Sequence, residues 1–376
     1  HANGSIAGRY SSDGGKTWTK NDEVIVSNEG GMNVMSVSFV RLANGSIALF
    51  YARKNSLDDC KPILRISNNE AQTWSEPISV ISDKDGYFVL NNDRVIQLPS
   101  GRLLAPVSLH KTAGVDFSMR GSIYCYYSDD NGITWKSSKE MPNKGEVVVQ
   151  EPGVVRLKNG DIMMWLRTDQ GVQFMSKSKD SGLSWEEVQP SKIVSPRAPA
   201  SLKRIPKTGD LLLIWNNNKS LNKKTATFRT PLTAAISKDE GKSWIHLKVL
   251  ENDPEGFFCY TAITFVDNEV LLAYMAAERL GLKDKIPLVN MTMNKLSGAI
   301  KMLGLAALVT YGCGGKPIED QTAEANEAEN EIVSVPGSLV LNPGDNNPRN
   351  SEGDFIELKD GRMLFVYSHY YGESSS

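Results

Sequence analysis

Ser11-Ser12-Asp13-Gly14-Gly15-Lys16-Thr17-Trp18 is an eight-residue phrase that the chain repeats. The same form, Ser-x-Asp-x-Gly-x-Thr/Ser-Trp, returns over 128–135, 178–185 and 237–244. A decayed copy, Ser67-Asn68-Asn69-Glu70-Ala71-Gln72-Thr73-Trp74, keeps the ends and loses the Asp and the Gly. Five of the seven Trp residues close such a phrase, so chance is a poor explanation. Its chemistry is that of a tight hairpin: a short carboxylate accepts backbone N–H bonds within the turn, Gly tolerates unusual dihedrals, and Trp packs between layers. The phrase is read as a folding device and a marker of architecture, with no direct part in catalysis.

A second turn signal runs in phase with it: Leu42-Ala43-Asn44-Gly45, Leu98-Pro99-Ser100-Gly101, Leu157-Lys158-Asn159-Gly160, Pro206-Lys207-Thr208-Gly209, Val266-Asp267-Asn268 and Leu358-Lys359-Asp360-Gly361. Apolar runs flank each one and read as paired strands. The turns at 45, 101, 160, 209 and 268 are 56, 59, 49 and 59 residues apart, and the step from 268 to 361 is 93. Counting from 361 through Ser376 and on from His1 to Gly45 gives 60, one repeat again. Six repeats of about four strands closing on themselves predict an all-β fold, a six-bladed β-propeller.

Size alone, 376 residues, would suggest two or three domains, and the ring reduces them to one. With 40% hydrophobic and 23% charged residues the chain can bury a sizeable core. Lys+Arg 42 against Asp+Glu 44 leaves a net charge of -2, which offers no polycationic surface and argues against nucleic acid as the main partner. Cys60, Cys125, Cys259 and Cys313 show no metal-ligand or disulfide spacing, and His1, His110, His246 and His369 do not cluster, so no metal and no cofactor is expected.

The oversized step marks an insertion. Met293-Asn294-Lys295 precedes an apolar stretch from Leu296 to Val309, then Thr310-Tyr311-Gly312-Cys313, then an acidic, Ala/Asn-rich run from Glu319 to Glu331. A positive start, a short apolar centre and small residues before a polar spacer are the layout of a secretory signal, and about 14 residues is short for a membrane span. Gly312-Cys313 resembles a bacterial lipoprotein processing site, which makes Cys313 the candidate lipid anchor of a secreted, periplasmic or cell-surface bacterial protein. An inserted helix on the propeller is the other reading. Residues 1–292 are thus assigned to the bulk of the ring, 293–315 to the signal-like segment, 316–342 to the acidic spacer, and 343–376 to the remaining strands, closing onto residue 1. The natural polypeptide is expected to begin at Met293 and run through Ser376 into His1, so that the order here is permuted.

Hairpin geometry then locates a face. Positions at fixed offsets from the turns share one edge of their sheets: Ser36, Asp93, Glu151, Tyr260 and Glu352 stand eight or nine residues before them, with Arg349 slightly further back. Arg53, His110, Arg167, Asn217, Glu278 and His369 stand seven to ten residues after them, and Asp59, Arg120 and Arg229 stand eight before three of the Trp-ended phrases. Strand ends are often polar, but several Arg, two Glu and a Tyr converging at the mouth of one ring point to a funnel for a ligand. Arginines around a pocket imply an anionic substrate, because a guanidinium fork binds a carboxylate bidentately and stays charged.

These residues resemble the sialidases over nearly the whole chain outside the insertion. That family consists of six-bladed propellers with such Asp-box turns, three arginines on the substrate carboxylate, a Tyr nucleophile paired with a Glu, and an Asp acid/base. Glu151-Pro152-Gly153-Val154-Val155-Arg156 followed by Leu166-Arg167 looks like the family's Glu strand and second arginine. Arg229-Thr230-Pro231 looks like the third arginine, Cys259-Tyr260-Thr261 like the nucleophile segment, and Arg349 falls at the first arginine without the usual Arg-Ile-Pro run. The acid is expected close to the seam between Ser376 and His1, where no Asp stands between Glu373 and Tyr10; Asp93 and Asp59 are its substitutes on the same face.

The resemblance implies catalysis by Tyr260, Glu151 and Asp93, and substrate binding by Arg349, Arg167 and Arg229, with Arg53 and His110 extending the pocket. It implies a monomeric exo-sialidase acting on sialylated or other anionic glycans. Two other readings fit the same residues: a non-catalytic glycan-binding propeller, and a polysaccharide lyase acting on uronate-containing glycans.

Overall fold

The computed structural model describes residues 3–219, 228–278, 290–296, 339–342 and 346–372. In chain order its strands are β1 (Asn3–Ser11), β2 (Glu23–Val26), β3 (Asn33–Arg41), β4 (Ile47–Lys54), β5 (Cys60–Ser67), β6 (Ile78–Ser79), β7 (Tyr87–Val89), β8 (Ile96–Gln97), β9 (Leu103–Lys111), β10 (Ser122–Ser128) and β11 (Lys136–Ser137). They continue with β12 (Val149–Arg156), β13 (Ile162–Thr168), β14 (Val172–Ser178), β15 (Gln189–Val194), β16 (Ser201–Arg204), β17 (Leu211–Asn216), β18 (Leu232–Ser237), β19 (Ile245–Glu251), β20 (Gly256–Val266), β21 (Glu269–Glu278), β22 (Asn290–Leu296), β23 (Val340–Leu341), β24 (Arg349–Glu357) and β25 (Met363–Tyr371).

The strands form antiparallel units in sequence order. β12 to β15, β16 to β19 and β20 to β23 are each a four-stranded meander, and β3 to β6 and β7 to β11 are two further units joined by a single parallel pairing, Cys60 with Tyr87. The sixth sheet draws on both ends of the chain, in the order β2-β1-β25-β24, with β1 and β25 paired without interruption from Asn3↔Tyr371 to Ser11↔Met363. β22 runs across the expected boundary at 292/293, pairing Met293 to Leu296 with β21, and β23 lies inside the stretch assigned to a spacer. A four-stranded unit requires those third and fourth strands, and β22 and β23 supply them. The rest of the signal-like segment, with Cys313, and most of the acidic stretch lie outside the described residues.

The Trp-ended phrases are the turns between the outer strands, and their bonding follows from their composition. In the first, the Asp13 carboxylate accepts from Thr17 N at 2.8 Å and Thr17 Oγ1 at 2.6 Å, and Ser11 Oγ accepts from Gly15 N at 2.8 Å. In the decayed copy Asn69 takes the place of Asp, accepting from Thr73 N at 2.9 Å and donating to Thr73 Oγ1 at 2.8 Å. The turn survives because an amide oxygen accepts as a carboxylate does.

These turns also lock the ring. A Cβ on Gly132 would lie 2.3 Å from Leu64 of β5, one on Gly182 2.8 Å from Leu104 of β9, and one on Gly15 2.7 Å from Leu271 of β21. Each turn therefore seats on a strand of the preceding unit, and the unit containing β1 seats on the one containing β21. Ala71, in the decayed phrase, is buried with Ile356, Leu364 and Val366 of the sixth sheet, which continues the circuit.

Candidate active site

The innermost strands are β24, β3, β12, β16 and β20, with residues 90–97 filling the remaining place. Five residues on this inner circle carry left-handed backbone although none is Gly: Ser36 (φ 58), Asp93 (φ 54), Glu151 (φ 48), Tyr260 (φ 56) and Glu352 (φ 43). At four of them the strand pairing slips: between Met35 and Ser38, Gln150 and Gly153, Cys259 and Ala262, and Ser351 and Gly353. These are β-bulges, whose extra residue re-aims a side chain off the sheet face. A non-Gly residue in this region costs about 1–3 kcal/mol, and such strain gathers at functional sites. The fixed offset from each turn in the sequence is the spacing of these bulges.

Three of the sequence-predicted residues meet on one oxygen. Glu151 Oε1 accepts Tyr260 Oη at 3.1 Å and Arg167 Nη1 at 2.7 Å, and the Glu151 and Arg167 side chains are each 11% exposed. In the chain the β16 unit lies between Glu151 on β12 and Tyr260 on β20, and Ala200, just ahead of β16, is small and buried. The Arg229 guanidinium lies 5.1 Å over the Tyr260 ring and 4.6 Å over Phe257. Arg349, at the start of β24, lies 4.1 Å over the Tyr370 ring, its register partner on β25. Among the described residues, Arg229 Nε and Nη1, Arg167 Nε, Arg349 Nε and Glu151 Oε2 are buried without a hydrogen-bond partner. A set of unpartnered guanidinium donors around one phenol is the chemistry of an anion site.

The charges are arranged unequally. Burial works to raise the Glu151 carboxyl, but Arg167 and Arg229 outweigh it and hold it below the usual range, so it is ionised at neutral pH. Burial, then the Glu151 charge, push the Tyr260 phenol up against the pull of Arg229 and Arg167. Its proton therefore stays on until a reaction removes it, and Glu151 is the base in contact. Glu352 is displaced the other way: burial raises its carboxyl above the usual range, with Ser36 and Arg349 opposing and Glu151 adding to the rise.

Asp93, expected as a substitute acid, is bound elsewhere. Its Oδ1 accepts Lys203 Nζ at 2.6 Å, its Oδ2 accepts Ile263 N at 2.9 Å, and its side chain is 7% exposed. It belongs to a polar hub that ties the inner strands together. Asn92 Nδ2 donates to Tyr260 O and Gly353 O, each at 3.0 Å, Phe39 N donates to Asp354 at 2.7 Å, and fully buried Arg94 donates to Ala200 O at 2.6 Å. Asp93 and its left-handed counterparts look alike in sequence; the lysine opposite Asp93 turns it into a cross-brace.

His110 and Arg53 differ from expectation for similar reasons. Both His110 nitrogens are engaged, Nε2 with Ser108 Oγ at 2.9 Å and Nδ1 with Ser118 O at 2.8 Å, and the ring stacks on Phe117 at 5.2 Å. Burial lowers its pKa, so it presents a neutral face and no cation for an acid. Arg53 sits 4.0 Å from Glu29, which also holds Arg65 at 2.5 Å. Asp59 accepts from Asn55 at 2.7 Å in its own loop. Tyr370, which carries Arg349, lacked any role in the sequence reading; its signal was its place opposite Arg349 across the turn at Gly361.

The sequence matches the family described as BNR repeat-like domain over residues 2–272. Among solved structures, a sialidase from Trypanosoma rangeli, captured with 2,3-difluorosialic acid as a covalent intermediate, is similar at a TM-score of 0.59 and 17% identity, over 81% of this chain and 50% of that one. A Hadza microbial sialidase is similar at 0.57 and 20%, over 72% of this chain and 59% of its own, and a protein of unknown function from Dyadobacter fermentans at 0.57 and 20%, over 72% and 79%. The chain thus spans about half the length of the trypanosomal enzyme. Match and fold agree: the chain belongs to the BNR repeat-like domain family and carries the all-β propeller fold of the sialidases.

Proposed function

We propose that the protein is a retaining exo-α-sialidase, a glycoside hydrolase that releases terminal sialic acid or a related anionic sugar from glycoconjugates. The observation that carries the reading is the Tyr260 hydroxyl 3.1 Å from the ionised Glu151, with Arg167, Arg229 and Arg349 around the pair. A sialic acid bears its carboxylate on the anomeric carbon, so a carboxylate nucleophile would meet a like charge, whereas a neutral phenol does not. A phenol needs a neighbouring base to attack, and Glu151 takes that proton. The arginines hold the substrate carboxylate and share its charge between them.

The test is hydrolysis of a fluorogenic sialoside by the wild type and by Tyr260→Phe. Only one hydrogen bond is lost in the variant, about 1 kcal/mol of stability, so folding is retained. Turnover should fall by orders of magnitude while a sialic acid analogue still binds. Unchanged hydrolysis would remove Tyr260 from the mechanism.

A further inference from the structure

The three arginines are matched to one carboxylate, and a fourth cation stands beside them without a counter-charge. Lys54 ends β4 and is 7% exposed. Lys61, Lys111 and Lys203 are less buried, and each holds a carboxylate, of Asp85, Asp58 and Asp93 in turn. Among the described residues, no hydrogen bond or ion pair reaches Lys54 Nζ, which packs over the Tyr87 ring at 5.4 Å from its centroid. The polar atoms sealed from solvent without a partner include Arg349 Nε but not Lys54 Nζ, so the ammonium rides on a buried stem and meets solvent at its tip. Register shows where it points. Asn33, Lys54, Cys60 and Tyr87 pair in turn across β3, β4, β5 and β7 and stand in one row on one face. That face meets the sheet of Arg349: a Cβ on Gly4 would lie 3.2 Å from both Asn33 and Tyr370, and Arg349 stacks on Tyr370. Alternation along β4 turns Arg53 the other way, toward Glu29. Arg349 bears on Lys54 as a like charge and is itself in range of Glu352 and Tyr260, so Lys54 stands outward of Arg349 from the nucleophile. Burial keeps the acids beside it neutral, pushing the Cys60 thiol up to about 12 and raising the Tyr87 phenol, while Asp59 accepts from Asn55 at 2.7 Å.

We propose that Lys54 binds a second oxyanion of the substrate, apart from the anomeric carboxylate, and so selects doubly charged glycans. The oxyanion is a sulfate or phosphate ester on the sugar acid, or the carboxylate of the sugar to which it is linked. This rests on the sialidase reading. Burying a charge without a partner is costly, and the ligand supplies what the fold withholds. A hydroxyl would give the ammonium a hydrogen bond but no charge. An oxyanion gives both, and it offsets the repulsion from Arg349 as well. An ammonium is a compact point charge with three donors, suited to a tetrahedral oxyanion or to a single carboxylate oxygen.

Two pairs of probes locate the second anion. Sialic acid and sialic acid 9-phosphate, as competitive inhibitors of aryl sialoside hydrolysis, differ by a charge on the sugar acid itself. Sialyllactose and α2,8-disialyllactose, as substrates, differ by a carboxylate on the next sugar. The readout is the ratio of the doubly to the singly charged member, in inhibition strength or in kcat/KM, measured within one protein; a general loss of stability or turnover leaves it unmoved. A bond to a charged group changes affinity by roughly 10-fold to 100-fold. Lys54→Met should therefore lower the ratio at least about tenfold in one of the pairs, and that pair shows which sugar carries the anion. Lys54→Gln, which keeps a polar tip without the charge, should do the same, and Lys54→Arg should keep most of the wild-type ratio. Ratios unchanged in both pairs on removal of the charge overturn the role of Lys54, while the sialidase reading stands on wild-type hydrolysis of the aryl sialoside. A folded wild type that hydrolyses no sialoside brings down the sialidase reading, and the role of Lys54 with it.

Discussion

Glu151→Gln separates the two tasks that one oxygen performs. The change keeps the shape of the side chain and removes a charge that holds Arg167 at 2.7 Å and faces Tyr260 at 3.1 Å. Hydrogen bonds to charged groups contribute about 1.5–3 kcal/mol each, and an amide oxygen retains part of that. The variant should therefore lose on the order of 2 kcal/mol of stability and remain folded. Turnover is affected far more: without a base for the phenol, kcat should fall roughly 10²–10⁴-fold. Affinity should move in the opposite direction. The buried carboxylate repels an incoming acid and shares Arg167 with it; at an effective dielectric near 20, two unit charges 4 Å apart interact by about 4 kcal/mol. Removing that charge should tighten binding of free sialic acid or leave it unchanged. Steady-state hydrolysis of a fluorogenic sialoside gives the first quantity, and competitive inhibition by the free acid gives the second. The pH profile adds a sign. Glu151 has a depressed pKa in the fold, so its contribution to stability and its competence as a base are present above the unfolded value and are lost as pH falls through the folded one. The acidic limb of kcat/KM should disappear in Glu151→Gln. A variant with wild-type turnover, or one that binds the free acid tenfold more weakly, refutes the reasoning.

Two further variants test the scaffold under the site. Asp93→Asn removes the charge that faces Lys203, whose side chain is 38% exposed, so the loss is that of a hydrogen bond to a charged group, about 1.5–3 kcal/mol; denaturant unfolding should show it, whereas a dead variant of wild-type stability would return Asp93 to the chemistry. Gly153→Ala places a Cβ 2.2 Å from the Trp165 ring, two residues from Glu151. Shifting a reacting group by 1 Å costs about 100-fold, so turnover should drop although no reacting group has changed, and Trp165→Leu should restore part of it by making room.

The ring was legible in the sequence because turns are local. Ser, Asp, Gly and Trp at fixed spacing encode their own hydrogen bonds, and even Asn69 in the decayed copy keeps them. The inner circle was legible through the same periodicity: a bulge at a constant distance from each turn puts Ser36, Asp93, Glu151, Tyr260 and Glu352 on equivalent positions. Which of these face a ligand was not legible, because that depends on partners distant in sequence. Lys203 lies 110 residues from Asp93, and Ser36 lies 316 from Glu352. Periodicity assigns Asp93 and Glu352 the same position; only the opposing side chains, Lys203 for one and Ser36 for the other, set them apart. His110 shows the same limit, since the Phe117 ring that stacks on it and the Ser118 carbonyl that engages its Nδ1 come from a loop without a repeat signature.

The central claim is that a tyrosine, not a carboxylate, bonds the sugar. Incubation with 2,3-difluorosialic acid, followed by proteolysis and mass spectrometry, tests it directly. One sugar adduct is expected on the peptide containing Tyr260, absent from Tyr260→Phe. An adduct on Glu151 or Glu352, or turnover of sialosides without any adduct on Tyr260, would contradict it.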